Sequence, residues 1–151
     1  MRVYLPASLD ELDELGTVVA PRRAHAVTAA LRDALPDEDE EGWEFVAQLV
    51  AADDSLARLA ERPGAPRLRL VLAADVPDDT VTPDEDPDAD VTAVTIAPGV
   101  PVDAVVCAHV DEPAAAPDVT AALAGDDDAR QRLEDRDLLW YDVSELGRIP
   151  R

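Results

Sequence analysis

Few residues in this sequence are of types that do chemistry, and they gather in two short stretches. The first is Cys107-Ala-His109-Val-Asp111-Glu112. In an extended run, residues 107, 109 and 111 place their side chains on one face. His109 and Asp111 are the types of an acid–base pair, and His109, Asp111 and Glu112 are the types that hold a divalent cation. Cys107 and His109 are likewise the types of a thiol nucleophile and its base, although a free cysteine among valines is ordinarily a small buried hydrophobe. The second stretch is Arg22-Arg23-Ala-His25, shortly before Thr28. Arginines beside a helix start form a ready anion site. His25 is the only other histidine, so a reaction centred on His109 and Asp111 gains force if short strands bring His25 to His109.

Other chemical patterns fail on inspection. Asp84-Glu-Asp-Pro-Asp-Ala-Asp90 starts like a calcium loop, but Ala89 stands where glycine is needed and Thr95 where the bidentate glutamate is needed. No glycine-rich phosphate loop is present, and Ser144 lacks the flanking glycines of a nucleophile elbow. No cofactor is expected, a divalent metal being the one candidate.

Thirty-four acidic residues against thirteen basic ones give a net charge of −21, and every basic residue is arginine. Such a surface repels nucleic-acid phosphates and anionic membranes and suits a basic protein partner. Residues 36–54 alone carry eight acids and residues 77–90 seven, with no base in either. One cysteine excludes an intramolecular disulfide, and no apolar run has the length of a signal peptide or a membrane span, so a cytoplasmic protein is expected.

The elements that must position these residues follow from periodicity and caps. Arg67–Val76 is the clearest strand, with Leu68, Leu70 and Leu72 on one face. Arg2–Leu5, Ala24–Val27, Val91–Ala97, Val102–Val110 and Asp137–Val143 read as further strands. Ser8 and Glu11 form a capping-box pattern, Thr28 caps a short helix, and the acids Asp37–Glu41 precede the longest helix, about Gly42 to Arg62. The longest helix is expected to lie on the leucine face of Arg67–Val76, with Trp43, Val46, Leu49, Val50, Leu56 and Leu59 inward. Trp140 and Tyr141 are expected to pack on opposite faces of the closing strand. Pro77–Asp90 is expected to be a mobile acidic surface loop.

Met1-Arg-Val-Tyr-Leu-Pro-Ala-Ser-Leu9, Ala24-His-Ala-Val-Thr28, Val71-Leu-Ala-Ala-Asp-Val-Pro77, His109-Val-Asp111 and Leu138-Leu-Trp-Tyr141 together resemble a family of short, acidic, uncharacterised actinobacterial proteins. The resemblance runs through nearly the whole chain. It implies a bacterial, intracellular, single-domain protein and assigns neither activity nor catalytic residues.

The expected architecture is one α+β domain over 1–151, a single mixed sheet with helices mainly on one face, in the manner of a ferredoxin-like layout. A parallel α/β sheet is the competing arrangement. The sequence favours a binding or regulatory module meeting a basic protein through its acidic surface, as monomer or homodimer. A small metal-dependent or acid–base enzyme using His109, Asp111 and His25 is the alternative. A sensor holding an anionic ligand on Arg22 and Arg23 is the third reading.

Overall fold

Caps and prolines set where the elements of the computed structural model begin and end, and residues 1–151 are all described. In chain order, β1 is Arg2–Ala7, β2 Val18–Val19, β3 Ala24–Ala26, α1 Ala29–Ala34 and α2 Glu40–Ala60. Then come β4 (Leu70–Asp75), β5 (Val81–Pro83), β6 (Ala93–Ile96), β7 (Val100–Pro101) and β8 (Val105–Val110). The chain closes with α3 (Ala116–Leu123), α4 (Asp127–Glu134) and β9 (Leu139–Asp142). The Ser8–Glu11 capping box forms, with the Ser8 N–H donating to Glu11 Oε2 at 2.9 Å, but it opens a single 3-10 stretch, Leu9–Asp13. Thr28 caps α1 by accepting from the Leu31 N–H at 3.0 Å, and Asp39 caps α2 by accepting from Gly42 at 2.9 Å.

Seven strands form one sheet in the order β5-β6-β3-β1-β4-β8-β9, and β2 pairs with β7 in a separate ribbon. Every pairing is antiparallel, which excludes the parallel arrangement. β1 sits between β3 and β4, the two strands joined through α2, so β3-α2-β4 is a split crossover with β1 inserted. That half is the part of a ferredoxin-like layout the chain has; the second helical excursion, α3 and α4, joins neighbours β8 and β9. The acidic stretch after Val76 is more ordered than its composition suggests. It forms a 3-10 turn at Asp78–Thr80 and then the edge strand β5, where Pro83 removes a donor at no loss to an inner ladder. No helix is long and apolar enough to cross a membrane.

The two faces of the sheet bury different side chains. Val3, Leu5 and Ala7 join Leu70, Leu72, Ala74 and Val110 on one face, covered by Leu9, by Val19 and Val100 of the ribbon, and by Ile149. The other face presents Tyr4, Val71, Ala73 and Cys107 to Ala47, Ala51 and Ala52 of α2. The long helix therefore lies opposite the leucines, not on them. Its inward stripe is mainly alanine, with Leu56 and Leu59 reaching on to α3 and α4, whereas Phe45 and Leu49 are exposed. The reason is steric: the alanine stripe of α2 leaves room for Tyr4 and Val71 on the sheet, while the leucines fill the space under the irregular cover of the other face.

Candidate functional site

The helix leaves a cleft on each of its flanks. The first lies toward β8 and β9, with a volume of about 260 Å³, lined by Arg2, Tyr4, Glu41, Glu44, Phe45, Gln48, Cys107, His109 and Trp140. Pairing fixes its floor. Tyr4 stands opposite Ala73, which stands opposite Cys107, and His109 is opposite Trp140, so Tyr4, Cys107, His109 and Trp140 all face the helix. From α2, residues 41, 44, 45 and 48 recur at i, i+3, i+4 and i+7 and form the wall. The Tyr4 hydroxyl points at Glu44 Oε2 across 3.4 Å, and the Tyr4 and His109 rings lie 6.5 Å apart. Arg2 is held by Asp75 in a two-nitrogen pair at 2.7 and 2.9 Å.

Burial governs the titrating groups of this cleft. It pushes the His109 pKa below its usual value, with the nearby Arg2 charge acting in the same direction, and it pushes the Cys107 thiol up. Cys107 Sγ and His109 Nε2 are 3.7 Å apart. A neutral thiol beside a neutral imidazole lacks the thiolate that nucleophilic catalysis requires. Burial, then the Glu44 charge, raises the Tyr4 phenol, so Tyr4 stays a hydroxyl donor. Trp140, expected to pack on a face of the closing strand, is 59% exposed, and Phe45 is 50% exposed.

The second cleft lies on the β3 side of α2, with a volume of about 230 Å³, lined by Pro6, Arg22, Arg23, Asp54, Ala57, Arg58 and Glu61. Residues 54, 57, 58 and 61 again recur at i, i+3, i+4 and i+7. Arg22 is fixed by the Pro6 carbonyl at 3.0 Å and by Glu11, which also takes two bonds from Arg58. Burial alone would raise the Glu11 pKa; the hydrogen bonds from Arg58 and Arg22 outweigh it and hold Glu11 at about 2. Arg23 donates through Nε to Asp84 at 3.0 Å. His25 is 1% exposed beneath this cleft, its Nδ1 bridging to Thr92 Oγ1 at 2.8 Å and its Nε2 to Asp54 Oδ2 at 2.9 Å.

These positions separate the residues singled out in the sequence. His25 and His109 share a face, but β1 and β4 stand between their strands, roughly 14 Å of sheet at the usual strand spacing. They line different clefts and do not meet. Asp111 turns away from His109 into a buried pair with Arg69, accepting from Arg69 Nε at 2.9 Å and Nη2 at 2.8 Å. Glu112 pairs with Arg136. His109, Asp111 and Glu112 thus have three separate surroundings, and no three His, Cys, Asp or Glu side chains come together at metal-ligand spacing. The fold does bring Arg22, Arg23 and, through Asp54, His25 to one cleft, and Cys107 and His109 to the other.

A protein-family model described as a family of unknown function, DUF6912, matches residues 1–149. The chain belongs to that family. No curated protein matches the chain, and no solved structure does. Tyr4, Glu44, Phe45 and Trp140 in one cleft and Asp54, Arg58 and Glu61 in the other belong to no motif in the sequence. The two four-residue stripes of α2 were the available signal: each is a helical face, 41-44-45-48 or 54-57-58-61, that mixes charge with apolar surface instead of continuing the alanine seam.

Proposed function

We propose that the protein is a binding module that receives a basic segment of a partner protein in the cleft between α2 and β9. The observation that carries this reading is where the aromatic side chains lie. The chain has only five Phe, Trp and Tyr residues, and Tyr4, Phe45 and Trp140 line this one cleft. Phe45 and Trp140 are exposed there over the buried Tyr4 ring, and exposed aromatics beside carboxylates suit an arginine or lysine side chain, whose apolar stem packs on the rings while its charge meets ring faces and acids. Glu41 and Glu44 supply those acids. The one cation in the wall, Arg2, is already neutralised by Asp75. The net charge of −21 steers a basic partner toward any such site and makes the encounter salt-dependent. Rigid, half-exposed Trp and Phe side chains are also the types that dominate interface energetics.

The test is affinity capture from native lysate along a salt gradient, with the wild-type chain and the Trp140→Ala variant as parallel baits. The expected result is a stoichiometric basic protein that elutes as salt rises and that Trp140→Ala holds about thirtyfold more weakly, the loss of an anchor contributing about 2 kcal/mol. A partner held equally by both baits, or held independently of salt, refutes the cleft as its site. A bait that captures nothing refutes the module.

A further inference from the structure

We propose that the second cleft, between Arg23 and the C-terminal half of α2, binds a small zwitterion of the amino-acid class. The ligand's carboxylate is taken by Arg23 and Arg58 and its ammonium by Asp54 and Glu61. This site lies on the opposite flank of α2 from the partner cleft and does not rest on it.

Two arginines of the cleft carry unused donors. Arg58 donates through Nε and Nη2 to Glu11, at 2.8 and 2.5 Å, which leaves Nη1 without an acceptor. Arg23 uses only Nε, toward Asp84, which leaves both terminal nitrogens. Both side chains line the cleft, so it offers guanidinium N–H groups from the β2–β3 connection and from α2 to a carboxylate. Arg22, whose side chain is 10% exposed, is locked by Glu11 and the Pro6 carbonyl and forms part of the wall.

The acceptors point to the ammonium. Asp54 Oδ2 is fixed by His25 Nε2 at 2.9 Å, which leaves Oδ1 for the cleft. His25 Nδ1 in turn meets Thr92 Oγ1 at 2.8 Å, so the buried imidazole beside Asp54 is itself held in place. His25 is a positioning residue here. Glu61 adds a second carboxylate to the same wall. An anion alone would meet these two acids and the field of a chain carrying −21; a ligand with no net charge avoids that field while satisfying both sets of groups. The volume of about 230 Å³ lies below the usual range of about 300–1,000 Å³ for ligand pockets, so the ligand is small.

The experiment measures thermal shift and calorimetric binding of the full chain with free amino acids, their N-acetyl and amide derivatives, and inorganic phosphate. At least one free amino acid is expected to raise Tm with concentration. Its N-acetyl and amide derivatives should bind roughly tenfold or more weakly, as should the Arg23→Gln and Asp54→Asn variants, each losing one charge-assisted contact. Arg23 is half-exposed, and asparagine keeps an acceptor for His25, so ligand-free melts of both variants establish that they fold. If phosphate or the N-acetyl derivative binds as well as the free amino acid, the site is a simple anion site and the proposal is wrong. If no free amino acid binds, it is also wrong.

Discussion

Replacing Asp111 with alanine asks whether this residue holds the fold or belongs to a reaction. Its side chain is 0% exposed and that of Arg69 4%. Asp111 accepts from the Arg69 backbone N–H at 2.9 Å as well as from Nε and Nη2, and Nη2 also donates to the Leu133 carbonyl at 3.0 Å. One carboxylate thereby ties the start of β4 and the end of β8 to α4. Removing it leaves a buried guanidinium with a single acceptor and a buried N–H with none. Breaking a buried pair from one side costs about 3–5 kcal/mol, because the remaining charge is uncompensated. For a chain of this length, a loss of about 4 kcal/mol lowers Tm by about 8–16 °C. The assay is urea unfolding followed by circular dichroism, reading midpoint and slope together. The double variant Arg69→Met with Asp111→Leu should recover most of the loss, since no charge is then left buried. An Asp111→Ala variant within about 1 kcal/mol of wild type would refute the assignment. So would a divalent cation that stabilises wild type and leaves Asp111→Ala unchanged, which would return Asp111 to a metal site.

Glu11→Gln should be pH-sensitive in a defined direction. The folded pKa is depressed from 4.5 to about 2, so the Glu11 contribution is complete above 4.5 and is lost as pH falls through about 2. The variant's deficit, measured by denaturant unfolding, should be larger at pH 7 than at pH 2 by about 3 kcal/mol, and an unchanged deficit would contradict the ion-pair account. Ser55, fully buried, donates to the Ala7 carbonyl at 2.7 Å and accepts from the Leu70 N–H at 2.9 Å, so Ser55→Ala strands a buried donor and should destabilise by about 1–3 kcal/mol in the same assay. Ala51→Leu adds methylenes between α2 and the sheet. It should cost about 1–3 kcal/mol and weaken ligand binding in both clefts; intact binding at both would show that the seating of α2 does not shape them.

Local rules carried well where the deciding contact was local. The Thr28 cap, the Ser8–Glu11 capping box and the strand character of Leu70–Asp75 all lie within a few residues of their causes. The side of the sheet that α2 covers did not follow, because alternation in β4 marks two faces without saying which cover each receives. Leucine volume suggested the helix; alanine spacing in α2 decides it. The sites were less legible still. His25–Asp54 spans 29 positions and Arg69–Asp111 spans 42, so neither pair is a motif in the chain. Asp111 read as chemical because it neighbours His109, whereas Arg69, the residue opposite it across the ladder, determines its role. Trp140 read as packed because aromatics in strands usually are, yet it stands on the edge strand β9 with most of its surface exposed.

The two clefts have one geometric origin. Seven strands at the usual spacing span about 29 Å, while a helix with its side chains is about 10–12 Å across. A single helix on that face therefore leaves sheet surface on either side unless other elements fill it. α3 and α4 pack against the C-terminal half of α2 through Leu56, Leu59, Val119 and Leu133 and close part of that space. What stays open is the Tyr4–His109–Trp140 floor at one flank and the Pro6–Arg23 margin at the other. The alanine seam holds α2 close to the sheet, so the longer side chains beside the seam stand out as walls. If the clefts bind as proposed, substituting wall residues is expected to change binding without moving the helix, whereas enlarging the alanines is expected to shift the helix and both clefts with it. In the proposed readings the wall positions of α2 act together with Trp140 at one flank and Arg23 at the other, and all of these are separate from the alanines that hold the helix in place.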